Sequence, residues 1–527
     1  MKVKTSKIEP VPIPLKYRPD IDGLRAIAVL SVIFFHTGVP GFSGGFVGVD
    51  IFFVISGFLI TSIILKDIQK KKFSIANFYE RRIRRIFPAL FPVIGFSFVV
   101  GAYLFDADAF KSLGKSITAT TLFSSNVLFW RESGYFAAPS LEKPLLHTWS
   151  LAVEEQFYII FPLALVFIHR YLKSRYFTWI LIAIILSLGA SVYGIYHYAG
   201  ATFYLVPTRA WELLIGSILA FGVLPKLSSA SLRNVLSITG LGFIIYSVGF
   251  YTEATLFPGP NAITPVLGAW LIIYSNMGEE KAIVNKLLSV RPLVFIGLIS
   301  YSLYLWHWPF VAFAKYLLFR PFNGYESAGI IFTSLAVSTL SWKYIEQPFR
   351  GKQMLLQNRK KLFALSGALM IVASCIGGVS YNNGSVFWPR IERKWYSPDP
   401  WNGAIPPKIG CMTAKPSFVI LGDSHAEALA PALIEQGKKN NKSGFIITGG
   451  GTTPLLGVEK TYVTGSSSLS YINCHQFTER ALDFIKVHQE ITHVILISRW
   501  IQNASGHEYK LEEPFTVTLK DTAGGGG

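Results

Sequence analysis

From residue 22 onward, long apolar runs alternate with short polar connections. Most of the runs approach the 17 to 25 residues that an α-helix needs to cross roughly 30 Å of hydrocarbon. Eleven stand out, at 22–38, 46–66, 86–105, 149–168, 177–197, 209–223, 235–250, 263–276, 293–317, 327–346 and 361–381. The stretch 117–130 (ITATTLFSSNVLFW) is too short and polar for a span and reads as a re-entrant or surface helix. The first 20 residues are polar and basic, and no small-residue cleavage site follows the first run, so the N-terminus is expected to be retained. Beyond the eleventh run the period changes. FVILG at 418–422, FIIT at 445–448 and HVILIS at 493–498 are bounded by Gly, Ser or Asn and separated by helix-like stretches, which predicts an α/β unit with a parallel sheet.

Composition sharpens this picture. The chain has 49 Lys plus Arg against 31 Asp plus Glu, a net +18 that by itself suggests a nucleic-acid partner. Charged residues are only 15% and hydrophobic ones 51%, with a mean hydropathy of +0.40. Those values exclude a disordered basic protein and an ordinary soluble enzyme. With the N-terminus placed in the cytoplasm, the inner loops and helix ends hold 28 basic residues and the outer ones 7, the bias that sets membrane topology. The charge is therefore chiefly a topology signal, and residues 382–527, with 14 basic and 13 acidic residues, are expected outside.

Ionisable groups within spans are costly and mark functional sites by default. Arg25 and His36 are 11 residues apart in the first run. On a helix they fall about 20° apart around the axis and ~16 Å apart along it, so one stripe carries both. In the second run Gly48, Ser56 and Gly57 make a slender face that a thin ligand could approach. Arg82, Arg84 and Arg85 crowd the inner end of the third, as a multiply phosphorylated ligand requires. Glu154 and Glu155 in the fourth, and Arg209 and Glu212 in the sixth, are expected at the level of His36, where a carboxylate would orient an imidazole. His307 lies between two tryptophans in the ninth.

Five motifs, YRPDIDGLRAIAVLSVIFFH, GGFVGVDIFFVISGFLIT, FYERRIRRIFPAL, HTWSLAVEEQFY and SYSLYLWHWP, together resemble the acyltransferase-3 family of membrane acyltransferases over residues 15–350. The family's Arg-x10-His pair matches Arg25 and His36, and its inner arginine cluster matches Arg82, Arg84 and Arg85. The resemblance implies about ten core spans in 1–350, a linking span within 351–410 and a periplasmic SGNH-like domain over 411–527, the arrangement of bacterial surface-polysaccharide O-acetyltransferases. It further implies acetyl-CoA as cytoplasmic co-substrate, a sugar such as that of lipopolysaccharide O-antigen as acceptor, and a bacterial inner-membrane location. His36, Arg25 and Glu154 are then catalytic candidates. Arg82, Arg84, Arg85, Gly48, Ser56 and Gly57 become candidates for the coenzyme, and Glu155, Arg209, Glu212 and His307 for the acceptor. His36 could act as base or as transient acyl carrier.

Within the outer domain, LGDSHAEAL at 421–429 follows an apolar strand and opens a helix, and it resembles the first block of SGNH enzymes with Ser424 as nucleophile. The family's Asp-x-x-His block does not follow, so a truncated domain lacking a base for Ser424 is expected. An oxidising compartment would permit a Cys411–Cys474 disulfide. No metal-ligand cluster or nucleotide fingerprint is present. Two other readings compete: a transporter relaying protons through His36, Glu154 and Glu212, and an outer domain that binds glycan without catalysis. A transporter would be expected to show inverted repeats, and none is seen.

Overall fold

The structure is a computed structural model of the full chain. It describes residues 17–382 except 106, 134–142, 173–174, 279, 319 and 351–353; in the C-terminal part it describes 406, 408–422, 424–448, 458–464, 467–472, 474–497 and 516–521. The chain divides into two units, 1–389 and 390–527.

The first unit is helical throughout. Its helices are α1 (Pro19–His36), α2 (Gly48–Gln69), α3 (Ile75–Leu104), α4 (Ala107–Thr121), α5 (Ser125–Arg131), α6 (Thr148–Tyr171), α7 (Tyr176–His197), α8 (Ala199–Tyr204), α9 (Val206–Ala220), α10 (Ala230–Phe250), α11 (Ile263–Ser275), α12 (Ile283–Leu288), α13 (Arg291–Leu318), α14 (Gly324–Ser341), α15 (Gln347–Arg350) and α16 (Arg359–Asn382). Each of the eleven apolar runs falls on a helix. Among the described residues, seven helices are long and apolar enough to cross a membrane: α2 with the short turn before it, α3, α6, α7, α10, α13 and α16. α9 and α11 are short, at 15 and 13 residues, and α1 opens with Asp20 and Asp22. The run at 117–130 resolves into the end of α4 and the separate α5. α4 begins earlier than the apolar run, buries Phe110, Leu113 and Ile117, and lies along α16. At that contact a Cβ on Gly114 would come within 2.6 Å of the Gly377 carbonyl oxygen.

Glycine sets two helix pairs that position the site. A Cβ on Gly297 of α13 would lie 1.9 Å from the Asp22 carbonyl oxygen, so α1 and α13 touch backbone to backbone and continue side by side toward His36 and His307. A Cβ on Gly57 of α2 would lie 1.7 Å from the Leu213 carbonyl oxygen, and one on Gly216 of α9 2.0 Å from that of Val54. Small residues on both helices let the axes close to a distance that larger side chains would forbid.

The second unit contains a four-stranded sheet of β1 (Lys408–Gly410), β2 (Pro416–Gly422), β3 (Ser443–Thr448) and β6 (His493–Ile497), in the order β1-β3-β2-β6. β2 lies parallel to both β3 and β6, so the three apolar runs form the expected parallel core; β1 pairs antiparallel on the edge. Alternate residues of β2 face opposite ways. Val419 and Leu421 pack with Phe477 and Ala481 of α18 (Cys474–Val487), whereas Ile420 packs with Ala426 and Ala430 of α17 (Ser424–Lys439). A second antiparallel sheet, from β4 (Val458–Thr464), β5 (Ser467–Ile472) and β7 (Thr516–Asp521), had no counterpart in the sequence reading.

Candidate functional site

Two cavities lie within the helical unit. One is lined by Arg25, Arg82, Arg85, Ser56, Glu154 and Tyr158 among others. The other is lined by His36, Asp50, His147, Arg209 and several aromatic rings. Val49 and Tyr304 line both, so the cavities meet at these two side chains. The Arg25–His36 stripe thus spans both, with one member in each.

At the second cavity, His36 Nδ1 lies 3.1 Å from His307 Nε2, and His307 Nδ1 lies 2.7 Å from the Tyr304 carbonyl oxygen. A carbonyl only accepts, so the Tyr304 contact requires the proton of neutral His307 on Nδ1 and leaves Nε2 as acceptor. His36 must then donate from Nδ1, which turns its Nε2 lone pair away from the pair. That is the tautomer a general base needs. His307 is fully buried, and the Trp308 ring centroid lies 4.4 Å from that of His36. His307 therefore positions the His36 ring and does not itself line the second cavity, so it departs from the substrate-contact role expected of it.

The carboxylates are arranged differently from expectation. Glu154 belongs to the arginine-lined cavity, where its carboxylate accepts a 2.5 Å hydrogen bond from Ser56. On α6 it stands seven residues beyond His147, about 10 Å along the helix, and does not reach the level of His36. It cannot orient that imidazole. Glu155 is buried and lines neither cavity. Arg209 does meet Glu212, at 2.9 Å, but also Asp50 at 3.1 Å, and all three side chains are essentially inaccessible. The Arg209 guanidinium lies within 6 Å of the ring centroids of Phe53, Trp149, Phe203 and Phe257. Cation–π contact offsets part of its lost hydration. Asp50 lies within the motif GGFVGVDIFF but had not been singled out; an aspartate in the first turn of an apolar helix was the signal.

The arginine cluster also separates. Arg82 lines the first cavity with its guanidinium over Phe78 and Tyr158, and Arg85 lines it beside Arg25. Arg25 is ion-paired to Asp22 at 3.1 Å. Arg84 instead pairs with Glu80 and donates to the carbonyl oxygens of Leu355 and Leu356, so it ties α3 to the segment before α16. Four hydrogen bonds engage its guanidinium within the protein and it does not line the first cavity, which argues against a coenzyme contact. The same correction applies to Gly48 and Gly57. A Cβ on Gly48 would meet the Ala28 carbonyl oxygen at 2.2 Å, so both glycines serve helix packing and only Ser56 of that trio faces the cavity.

His147, the residue before α6, had been passed over because it precedes the apolar run. It is buried and lines the second cavity, its ring centroid 5.8 Å from that of His307.

In the C-terminal unit Ser424 opens α17 immediately after β2, the strand-to-helix turn that its motif predicts. A Cβ on Gly422 would lie 1.8 Å from the Ile497 carbonyl oxygen, so this turn needs glycine. The Ser424 side chain lies outside the described residues. Cys411 has a free thiol, 3.2 Å from the Thr413 hydroxyl and 3.0 Å from the Asn441 amide oxygen. The expected bridge to Cys474 falls on a side chain outside the described residues. Among the described residues no cluster of three or more His, Cys, Asp or Glu could hold a metal.

Comparison with known proteins identifies the family. The chain is 34% identical to the peptidoglycan O-acetyltransferase OatA of Listeria monocytogenes over 356 residues, which is 64% of this chain and 56% of that protein. It is 32% identical to the O-acetyltransferase OatA of Staphylococcus aureus over 354 residues, 64% of this chain and 58% of that protein. It thus spans a little over half the length of these curated relatives. No solved structure matches it. Residues 18–345 match the acyltransferase domain and residues 397–524 the SGNH domain found fused to such domains. The chain belongs to the acyltransferase-3 family, in the branch whose multi-pass membrane domain carries a fused SGNH domain.

Proposed function

We propose that the protein transfers an acetyl group from acetyl-CoA, bound at the arginine-lined cavity on the cytoplasmic side, to a hydroxyl of a cell-wall or surface polysaccharide that enters the second cavity from outside. The observation that carries this reading is the pair of cavities meeting at Val49 and Tyr304, one with Arg25, Arg82 and Arg85 and the other with His36 held by His307. Guanidinium groups suit the phosphates of the coenzyme, and the thioester arm would pass Ser56 toward the junction. His36 Nε2 takes the proton of the acceptor hydroxyl as its oxygen bonds to the acyl carbon; the carbon–sulfur bond breaks and the thiolate leaves toward the arginines. This assigns His36 as base, not acyl carrier. The bias of basic residues supports a cytoplasmic N-terminus and an SGNH domain outside the membrane.

The relatives' names favour peptidoglycan over lipopolysaccharide O-antigen as the acceptor. Membranes containing the full chain, supplied with labelled acetyl-CoA, should acetylate added glycan, and His36→Ala and Arg25→Ala should abolish this while still inserting. Mass spectrometry of the glycan identifies the acceptor and the hydroxyl. Normal acetylation by either variant would refute the membrane mechanism.

A further inference from the structure

His147 lines the second cavity together with His36 and is given no part in the transfer step above. The residue is 3% exposed, and neither Nδ1 nor Nε2 makes a well-formed hydrogen bond, the Leu305 backbone being the one hydrogen-bonding group of the protein that acts on the ring. Its backbone carbonyl oxygen accepts from the Tyr304 hydroxyl at 3.0 Å and from Ser150 Oγ at 3.2 Å. The ring is fixed in place, with its face toward Tyr304 at a centroid distance of 5.5 Å and its neighbour His307 at 5.8 Å. Leaving a buried donor or acceptor without a well-formed hydrogen bond is costly. A purely structural histidine would avoid that cost by turning toward a protein partner.

The surroundings define what would pair with it. The remaining wall of the cavity is mainly aromatic, from Trp149, Phe203, Tyr204, Phe257 and Trp308. The Asp50 and Arg209 charges are paired to each other. A ligand here meets aromatic faces and a neutral imidazole able to donate from one nitrogen and accept at the other. A sugar ring fits this chemistry, with C–H groups against the aromatic faces and a hydroxyl that both accepts and donates.

We propose that His147 binds the acceptor sugar, hydrogen-bonding a hydroxyl next to the one that His36 deprotonates, and so selects which hydroxyl is acylated. This rests on the acyl-transfer reading above. The test uses the full chain in membranes, acetyl-CoA as donor and soluble peptidoglycan fragments as acceptor, comparing wild type with His147→Phe, His147→Gln and His36→Ala. Phenylalanine keeps the bulk and removes both nitrogens; glutamine restores a donor and an acceptor. His147→Phe should raise the acceptor KM at least tenfold, more than it raises the acetyl-CoA KM, and scatter the acetylated positions, while His147→Gln recovers part of the loss. An acceptor KM within twofold of wild type in His147→Phe overturns the proposal. Equal losses in His147→Phe and His147→Gln that track a fall in melting temperature also overturn it, because they show a structural role. If wild type transfers nothing or His36→Ala stays active, the acyl-transfer reading itself fails, a result separable from the first two.

Discussion

His36 on α1 and His307 on α13, 271 residues apart in sequence, face each other with Nδ1 and Nε2 3.1 Å apart and their rings nearly parallel, at an interplanar angle of 8°. The Tyr304 carbonyl oxygen fixes the proton on His307, and His307 in turn fixes that on His36. Replacing His307 by phenylalanine keeps the ring and removes the acceptor. Transfer should fall by about 10²- to 10⁴-fold, the range of a general base's contribution, with the acetyl-CoA KM little changed. Initial rates across a range of donor concentrations check this.

Arg82 and Arg84 are two residues apart in the same motif but do different work. Arg82→Ala should raise the acetyl-CoA KM about tenfold or more, as expected when one charge-assisted phosphate contact of roughly 1.5–3 kcal/mol is lost. Arg84→Ala should leave that KM near wild type and lower the melting temperature in detergent, because it cuts the tie from α3 to Leu355 and Leu356. A donor titration and a thermal melt on both variants separate the two effects.

Removing Arg209 strands two carboxylates in a site with essentially no solvent access. Breaking such a buried arrangement costs about 3–5 kcal/mol, so Arg209→Met should insert poorly or melt far below wild type. The triple substitution Arg209→Met, Asp50→Asn and Glu212→Gln removes the charges together and should recover most of the stability. Size-exclusion profiles and thermal melts of wild type and the two variants read this directly.

Gly57→Ala tests the packing assignment. The added methyl group would sit 1.7 Å from the Leu213 carbonyl oxygen, a backbone atom that cannot swing aside. A cost of about 1–3 kcal/mol or more is expected from overpacking, together with loss of transfer as α2 moves off α9 and carries Ser56 with it. Gly95→Ala, where a Cβ meets nothing within 4 Å, serves as the control and should melt with wild type.

The Cys411 thiol is held below its ordinary range, first by the Thr413 hydroxyl bonded to its sulfur. Below that pKa the thiol is protonated and slow; above it the thiolate reacts. A maleimide should therefore label it without prior reduction, and Cys411→Ser should remove one equivalent of label counted by mass spectrometry. Labelling that needs a reductant would restore the disulfide to Cys474.

Much of the site was legible because membranes make polarity expensive. Arg25, His36, Arg82, Arg85 and Arg209 stand out in apolar surroundings, and each lines a cavity. Depth was less legible. Glu154 was assigned to the level of His36 by its distance from the end of an apolar run, but α6 places His147 at that level and carries Glu154 to the arginines. Glycine spacing in the second run signalled close approach without saying what approaches, and a helix backbone, not a ligand, fills the space beside Gly48 and Gly57. The His36–His307 pair was beyond reach because the choice of neighbour for α1 depends on Gly297 meeting Asp22, a contact between runs eight spans apart. In the second unit, the three parallel strands were visible as uninterrupted apolar runs, whereas β4, β5 and β7 are mixed in polarity and gave no such signal.

Tyr304 borders both cavities, and its hydroxyl is tied to the His147 carbonyl and to Ser150. Between the two cavities the shared lining is one phenol ring and the Val49 side chain. A bilayer that holds a voltage tolerates such thinness only if no file of water crosses it. The protein must therefore serve as a seal against ions throughout its catalytic cycle, and its tyrosine is as much an electrical part as a chemical one.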